Sequence, residues 1–530
     1  MTMRSIGSFS SLLLVAACFL LVAVAAFTSL AGASPSERLA GAGTKISAHL
    51  TKASFAPAQA GSVKLIYKLS KPSKSFGYTL SLKKGAKWQT VNAVKEKGTF
   101  KGSRSMTVKK LFAGKPVKPG SYRLKLFGDE ESRLLTFEVT GLLTGIQQIS
   151  LGSLHTCALL SGGEVDCWGD NMEGELGSGT NAKSLPTPLR VHGVANATAI
   201  SAAGYYTCAL ISNGTIECWG GNGDGQLGDG RADHGHVAPV GGDFSRAPVR
   251  VKGIDHAVAV SAGDDHACAL ISGGTVECWG GNTAGELGDG IADHGHGSSD
   301  WDEGDFSPTP VKVVGITSAV AVTAAYGTSC ALLKDGTIDC WGTDNYGELG
   351  SGAAASSSVP VTVAGISGAK AVSAGTFFVC ALISDGTIEC WGGNSLGQLG
   401  NGTLSPYSAP SPVLGIEGSA SQVSAGNYEA CALIFGGTMI ACWGANSGGS
   451  LGDGVKSHGH TEEGIDFALT PVLVSGITRA LEVSTGIFNA CAVLSDHTAV
   501  CWGRNPFGEL GDGTKRNHST PVPVIAGGGS

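Results

Sequence analysis

Cys380-Ala381-Leu382-Ile383-Ser384-Asp385-Gly386-Thr387-Ile388-Glu389-Cys390-Trp391-Gly392 is one of seven near-copies of a single text. Each copy runs from a Cys through nine or ten residues to Cys-Trp-Gly, and a G-x-N-x-x-G-x-L-G tail follows. The pairs are Cys157/Cys167, Cys208/Cys218, Cys268/Cys278, Cys330/Cys340, Cys380/Cys390, Cys431/Cys442 and Cys491/Cys501. Their first cysteines are spaced by 51, 60, 62, 50, 51 and 60 residues. A fixed period marks a repeat architecture whose units bury their apolar faces only against neighbours. This period is too long for helical solenoids and suits four-stranded propeller blades.

The copy at Cys208 shows why the cysteines should bridge. Both halves are β-prone, and Ser212-Asn213-Gly214 lies between them. A three-residue hairpin loop takes a type I turn followed by a left-handed residue, usually Gly. Ile211 then pairs with Thr215, and Cys208 falls opposite Cys218, within reach of a disulfide. The sixth pair is one residue longer, and its Phe435-Gly436-Gly437-Thr438 turn compensates so that Cys431 still faces Cys442. Zinc sites favour short C-x-x-C spacing and clustered ligands, which are absent from this pattern. Seven disulfides are expected, one in each repeat.

Composition divides the chain. Residues 45–140 hold 20 Lys and Arg against 5 Asp and Glu, whereas residues 141–530 hold 14 against 37. A basic module is joined to an acidic one. Residues 1–33 read as a secretory signal: Arg4, an apolar run from Leu12 to Phe27, then the small-x-small site Ala31-Gly32-Ala33. A lipoprotein-like box ending at Cys18 and an uncleaved anchor are the alternatives. Export permits disulfides, and the fourteen cysteines after the signal all fall into the seven pairs.

The repeated text, with Asp385-Gly386-Thr387, Cys390-Trp391-Gly392, Asn394 and Gly397-Gln398-Leu399-Gly400, resembles the regulator of chromosome condensation repeat family. The resemblance covers about residues 146–524 and implies a seven-bladed β-propeller. The fold expected is therefore all-β: a signal at 1–33, a linker at 34–44, an immunoglobulin-like β-sandwich at 45–140 and the propeller at 141–530. The seven Trp that follow the second cysteines are expected to pack in the core. Internal repeats open on a Thr-Pro-Val-like strand such as Thr309-Pro310-Val311, so the final Thr520-Pro521-Val522 is expected to complete the first blade and close the ring. The sandwich is inferred from period-two runs such as Tyr122-Arg-Leu-Lys-Leu126, with Pro119-Gly120 as a turn signal.

Three of the loops after Cys-Trp-Gly are longer and share a second motif. They read Asp229…His234-Gly-His236…Asp243-Phe244, Asp289…His294-Gly-His296…Asp305-Phe306 and Asp453…His458-Gly-His460…Asp466-Phe467. They are expected between blades, projecting from one face. His234, His236, Asp243, His294, His296, Asp305, His458, His460 and Asp466 form a candidate set for Zn²⁺ or Ca²⁺. The same residues could instead make local turn bonds anchored by the Phe, or form a partner-binding rim.

No catalytic residues and no required cofactor are expected. The chain shows no G-x-S-x-G elbow, H-E-x-x-H motif or phosphate loop, and the Asp264/Asp265 pair carries little weight without a pocket. The family's founding activity is nucleotide exchange on a nuclear GTPase bound with chromatin, and export together with an acidic propeller argues against nucleic acid. The expected function is a monomeric, secreted or cell-surface scaffold whose loop-rich face binds an extracellular protein or glycan. The basic module either stays soluble, attaches to an anionic polymer or surface, or docks on the acidic propeller. An inhibitor of an extracellular enzyme and a metal-dependent enzyme on the His/Asp loops are the alternatives.

Overall fold

The computed structural model describes residues 46–50, 54–55, 64–84, 87–107, 120–127, 132–139 and most of 141–527; within that last span 232–233, 235–241, 292, 296–304, 354, 406–407, 417, 456 and 460–463 are left aside. The expected signal and linker lie outside the described residues. The N-terminal strands are β1 (Ile46–Leu50), β2 (Ser54–Phe55), β3 (Lys64–Lys84), β4 (Lys87–Thr107), β5 (Gly120–Phe127) and β6 (Ser132–Val139). Alternation works as read: Tyr122, Leu124 and Leu126 are buried, while Lys125 between them is exposed.

Pairing joins all six strands into one hydrogen-bonded sheet of order β1-β3-β5-β6-β2, with β4 beside β3. The ladders run without a break through this module. The reason is β3, a 21-residue strand. Its residues 65–69 pair with β1 and its residues 77–82 with β5, so one strand serves both halves. Its register shifts between Leu69 and Ser73, around Pro72, where a ladder tolerates a missing N–H.

Seven four-stranded antiparallel sheets follow. The first comprises β7 (Ile146–Leu151), β8 (His155–Leu160), β9 (Val165–Asp170) and β10 (Ser184–Arg190). The second comprises β11 (Ala197–Ala203), β12 (Tyr206–Ile211), β13 (Ile216–Gly221) and β14 (Phe244–Arg250). Five more of the same plan run to Pro523.

In every sheet the second and third strands hold the cysteine pair directly opposed, and all seven expected disulfides are formed. Cys157–Cys167, Cys208–Cys218, Cys268–Cys278, Cys380–Cys390 and Cys431–Cys442 have Cα–Cα distances of 4.1 Å. Cys330–Cys340 and Cys491–Cys501 have 4.0 Å. The hairpin register is the one the turn dictates: Leu210 faces Ile216, and Ile211 N–H donates to Thr215 O at 2.8 Å. In the longer sixth copy Cys431 still faces Cys442.

Neighbouring sheets are held by the tryptophans. All seven are fully buried. Each indole N–H donates to a backbone carbonyl in the tail of the preceding sheet, as Trp219 does to Glu175 O at 2.8 Å and Trp391 to Glu348 O at 2.9 Å. The last Gly of each tail leaves room for that indole. Gly400 has φ +62°, and a Cβ there would lie 2.9 Å from the Trp443 ring.

Closure differs from the sequence expectation. Thr520-Pro521-Val522 belongs to the fourth strand of the seventh sheet, paired with its own third strand, and every sheet is built from contiguous residues. The Thr-Pro-Val strand thus ends a unit instead of opening one. The first and last sheets meet through the same indole contact, Trp168 to Glu509 O at 2.7 Å. Glu482 of the last sheet also accepts from Ile149 N–H at 3.1 Å. A short clasp completes the junction: Leu142 bridges Ile525, and Ala526 N–H donates to Gly141 O at 2.8 Å.

Candidate functional site

Because successive strands are antiparallel, the loops joining first to second strands share one end of the ring with those joining third to fourth strands. The second-to-third hairpins occupy the other end. Four of the seven hairpins share one turn contact. Asp335, Asp385 and Asp496 each accept from the N–H and hydroxyl of the Thr two residues on, and Asn213 does the same for Thr215.

The cysteines belong to neither end. Cys167, Cys218, Cys278, Cys340, Cys390, Cys442 and Cys501, with their partners Cys157, Cys208, Cys268, Cys330, Cys380, Cys431 and Cys491, are fully buried inside the sheets. Bonded in pairs and closed to solvent, they tie the hairpins and offer no thiolate for chemistry.

The end opposite the hairpins carries the variation. Three residues before each first cysteine stand Leu154, Tyr205, Asp265, Gly327, Phe377, Tyr428 and Phe488. Six residues after each second cysteine stand Glu173, Asp224, Ala284, Tyr346, Leu396, Gly448 and Phe507. Repeated neighbours fix the backbone at these positions while the side chains change from sheet to sheet.

The changes fall into two sectors. In sheets four to seven the rings touch in sequence: Tyr326 lies 5.9 Å from Phe377, Tyr346 5.3 Å from Phe377 edge-on, and Phe377 5.5 Å from Tyr428. Tyr428 stacks on Phe488 at 5.7 Å with an interplanar angle of 8°. Such pairs gain about 0.5–1.5 kcal/mol beyond their area burial. Tyr326 remains 49% exposed, so the arc is open to a partner.

In sheets one to three the corresponding place is acidic. Asp170, Glu173 and Asp264 lie near Tyr205, itself 46% exposed, and Asp265, with Asp224 beside it, adjoins Asp264. Solvent reaches Asp265, yet the surrounding walls desolvate its carboxylate, and with Asp264, Asp224, Glu286 and Glu173 they push its pKa up to about 8. Desolvation raises Asp264 to about 6, and desolvation with Asp170 raises Glu173 to about 7. Burial also raises Asp170, to about 6, partly offset by backbone N–H groups and Lys515. Desolvation and then these carboxylates lift the Tyr205 phenol to about 12. The sectors meet at Tyr326, whose phenol is raised by desolvation and then by Asp265 and Asp264.

The three long loops lie on this same end, between third and fourth strands of the second, third and sixth sheets. They are inside blades, not between them. Each closes on one histidine. His234 sits between Asp243 at Nδ1 and Asp229 at Nε2, 3.0 Å away. His294 sits between Asp305 at 2.6 Å and Asp289 at 2.9 Å, and His458 between Asp466 at 3.4 Å and Asp453 at 2.7 Å. The tail asparagines Asn222, Asn282 and Asn446 donate to the Asp243, Asp305 and Asp466 carboxylates. Burial alone would lower His234 and His294, but hydrogen bonds to the two carboxylates overcome it and raise both pKa values. Burial likewise opposes ionisation of Asp243 and Asp305, and the bonds from His hold both below the ordinary carboxylate range. Both ring nitrogens of His234, His294 and His458 thus face carboxylates of their own loops. His236, His296 and His460 lie outside the described residues. Among the described residues no three His, Cys, Asp or Glu are placed to hold a metal ion.

The sequence reading named Asp264 and Asp265 without a site and missed the aromatic arc. Superposing the seven copies on their cysteines would have exposed both variable columns.

Comparison with known proteins agrees with this architecture. Residues 120–474, more than half the chain, match the model of the RCC1-like domain. The chain is 28% identical to the Arabidopsis thaliana ultraviolet-B receptor UVR8 over 73% of its own length and 71% of the receptor's. It is 32% identical to the mitochondrial RCC1 domain-containing protein RUG3 of the same plant, over 40% of this chain, and spans about half that protein's length (46%). Yeast RCC1 (Prp20), in its structure with Kap60, has a TM-score of 0.58 at 20% identity, over 71% of this chain and 84% of that one. Human WBSCR16 has a TM-score of 0.54 at 20% identity, over 68% and 90%. A chain whose residues from 146 to 523 form seven Trp-linked four-stranded sheets built on this repeat belongs to the RCC1-like domain family.

Proposed function

We propose that this chain is an exported, non-catalytic recognition scaffold. Its seven sheets are the blades of one closed ring, and the end bearing the aromatic and acidic sectors binds an extracellular protein or glycan. One observation carries the reading: side chains change between aromatic and acidic from blade to blade at one end of the ring, whereas four of the seven hairpins at the other share a single turn contact. Positions that only stack blades repeat, whereas positions that meet a partner need not. Protein partners have precedent in the fold, since Prp20 is bound by Kap60 and binds Gsp1p and histones. Seven cysteine pairs suit an oxidising compartment. The basic N-terminal sheet would hold the scaffold on an anionic polymer or surface through its lysines.

Photo-cross-linking from the secreted full chain tests the reading. A benzophenone side chain at position 377 or 205 should form partner adducts, and one at position 385 on the hairpin end should not. Equal adducts from both ends would overturn it.

A further inference from the structure

The acidic sector holds an unanswered demand for hydrogen-bond donors. Asp170 is 2% exposed, and its Oδ1 has no hydrogen-bond partner. The second, third and fifth sheets carry Gly221, Gly281 and Gly393 at this position, so the repeat does not require a carboxylate there. Its charge acts on Glu173 and on Tyr205. No ion pair among the described residues involves Glu173, Asp264 or Asp265. Lys515 acts on Asp170, but its Nζ is held by Ser184 Oγ. A buried acceptor without a donor costs stability, so a native structure that keeps one calls for an explanation.

We propose that the acidic sector binds a cationic side chain, the guanidinium or ammonium of an Arg or Lys on a protein partner, with its aliphatic stem laid toward the aromatic arc. This rests on the reading that the varied end is the binding end. Charge complementarity selects the occupant: several carboxylates surround one exposed phenol ring, and a cation over a ring edged with carboxylates gains from both. Spread selects a polyatomic cation over a metal, because no three of these groups converge closely enough to hold a metal ion. A guanidinium, with five donors in a plane, can span carboxylates that a point ion cannot. Tyr326 joins the two sectors, so a long cationic side chain can place its head among the acids while its stem covers the rings.

The test uses the full chain labelled with 3-fluorotyrosine, the Tyr205 fluorine resonance being assigned with Tyr205→Phe. N-acetyl-arginine amide is titrated to about 20 mM beside N-acetyl-citrulline amide, its neutral twin. The expected result is a saturable shift at Tyr205 with the arginine probe, and binding about ten-fold weaker or more with citrulline. Asp264→Asn/Asp265→Asn should weaken the arginine response by a similar factor, with the thermal midpoint showing that the variant is folded. Asp265→Asn alone serves should the double change disturb folding. No saturable shift, equal responses to both probes, or an arginine response unchanged in the amide variant would overturn the proposal. Equal responses that Phe377→Ala abolishes would keep the binding end and remove only its preference for a cation. Photo-cross-linking, which does not depend on partner charge, decides the broader reading separately.

Discussion

The two ends of the ring are made from the same seven repeats, yet they do different work. At the hairpin end the side chains mostly bond to their own turns, and the same Asp-Thr or Asn-Thr contact recurs. At the other end the turn backbone recurs while the side chains diverge into a five-ring aromatic arc and a group of five carboxylates. All three long loops were also inserted there. Changes at the hairpin end should therefore cost stability, and changes at the varied end should cost binding.

The strongest way to break that contrast is to remove a hairpin's covalent tie. Cys380→Ala with Cys390→Ala should lower stability by about 2–3 kcal/mol, the chain-entropy value for so short a loop, measured by urea denaturation. Hydrogen exchange should rise at residues 384–387, while Tyr326 and Tyr428 keep their contacts with Phe377. Loosening at the varied end instead would mean that the ends are not separately supported.

A second change probes the wall between the ends. Glu482 occupies the place where Gln148 and Gln422 bond the backbone of the next sheet in both directions. Burial pushes its pKa up to about 8. The unfolded carboxyl titrates near 4.3, so the folded value is the higher one. Stability is then full below about pH 4 and is lost as pH rises toward about 8. Glu482→Gln should raise stability by about 1–3 kcal/mol at pH 8 and leave it unchanged at pH 4. Thermal unfolding at the two pH values checks this, and binding at the varied end should not move.

The smallest effect belongs to the histidine loops. The raised His234 and His294 contribute stability below about pH 6.5 that is lost as pH rises through their folded values. The lowered Asp243 and Asp305 contribute above about pH 4 and fail as pH falls through theirs. These two loops should be firmest between about pH 4 and 6.5. Exchange protection at residues 229–231 and 289–291, corrected for intrinsic rate, should be greater at pH 5.5 than at pH 8.5, and His234→Gln should erase the difference at the first loop.

Much of the fold could be read before any coordinate. Two cysteines separated by a Gly-bearing turn of known length have one register, and Cys208 and Cys218 stand directly opposed, as do Cys157 and Cys167 or Cys268 and Cys278. The phase of the repeat was not legible. A periodic text does not mark where a unit begins, so Thr520-Pro521-Val522 reads as well for the first sheet as for the last, where it lies. The length of β3 was not legible, because Lys71 to Gly77 breaks the alternation although the strand continues through it. The site stayed hidden because Tyr205, Asp265 and Phe377 are single letters separated by 60 and then 112 residues. Only the ring sets them side by side, and no local pattern announces that. The histidines were seen together with Asp243, Asp305 and Asp466, but the second carboxylate of each was not in that set. Asp229 and Asp453 belong to Gly-Asp-Gly triplets at the ends of the repeat tails, yet each supplies the second carboxylate to its histidine.

The way the ring closes has a mechanical consequence. Every sheet is contiguous in the chain, so no strand from the start of the ring is woven into its end. What joins the chain ends there is the short clasp of Gly141, Leu142 and Leu143 against Val524, Ile525 and Ala526. The N-terminal sheet enters the ring through that clasp. Tension between an anchored N-terminal module and a partner held on the ring would fall first on a few backbone hydrogen bonds at the seam and leave every blade intact. Under load the molecule would yield there first, as a buckle opens before its strap tears.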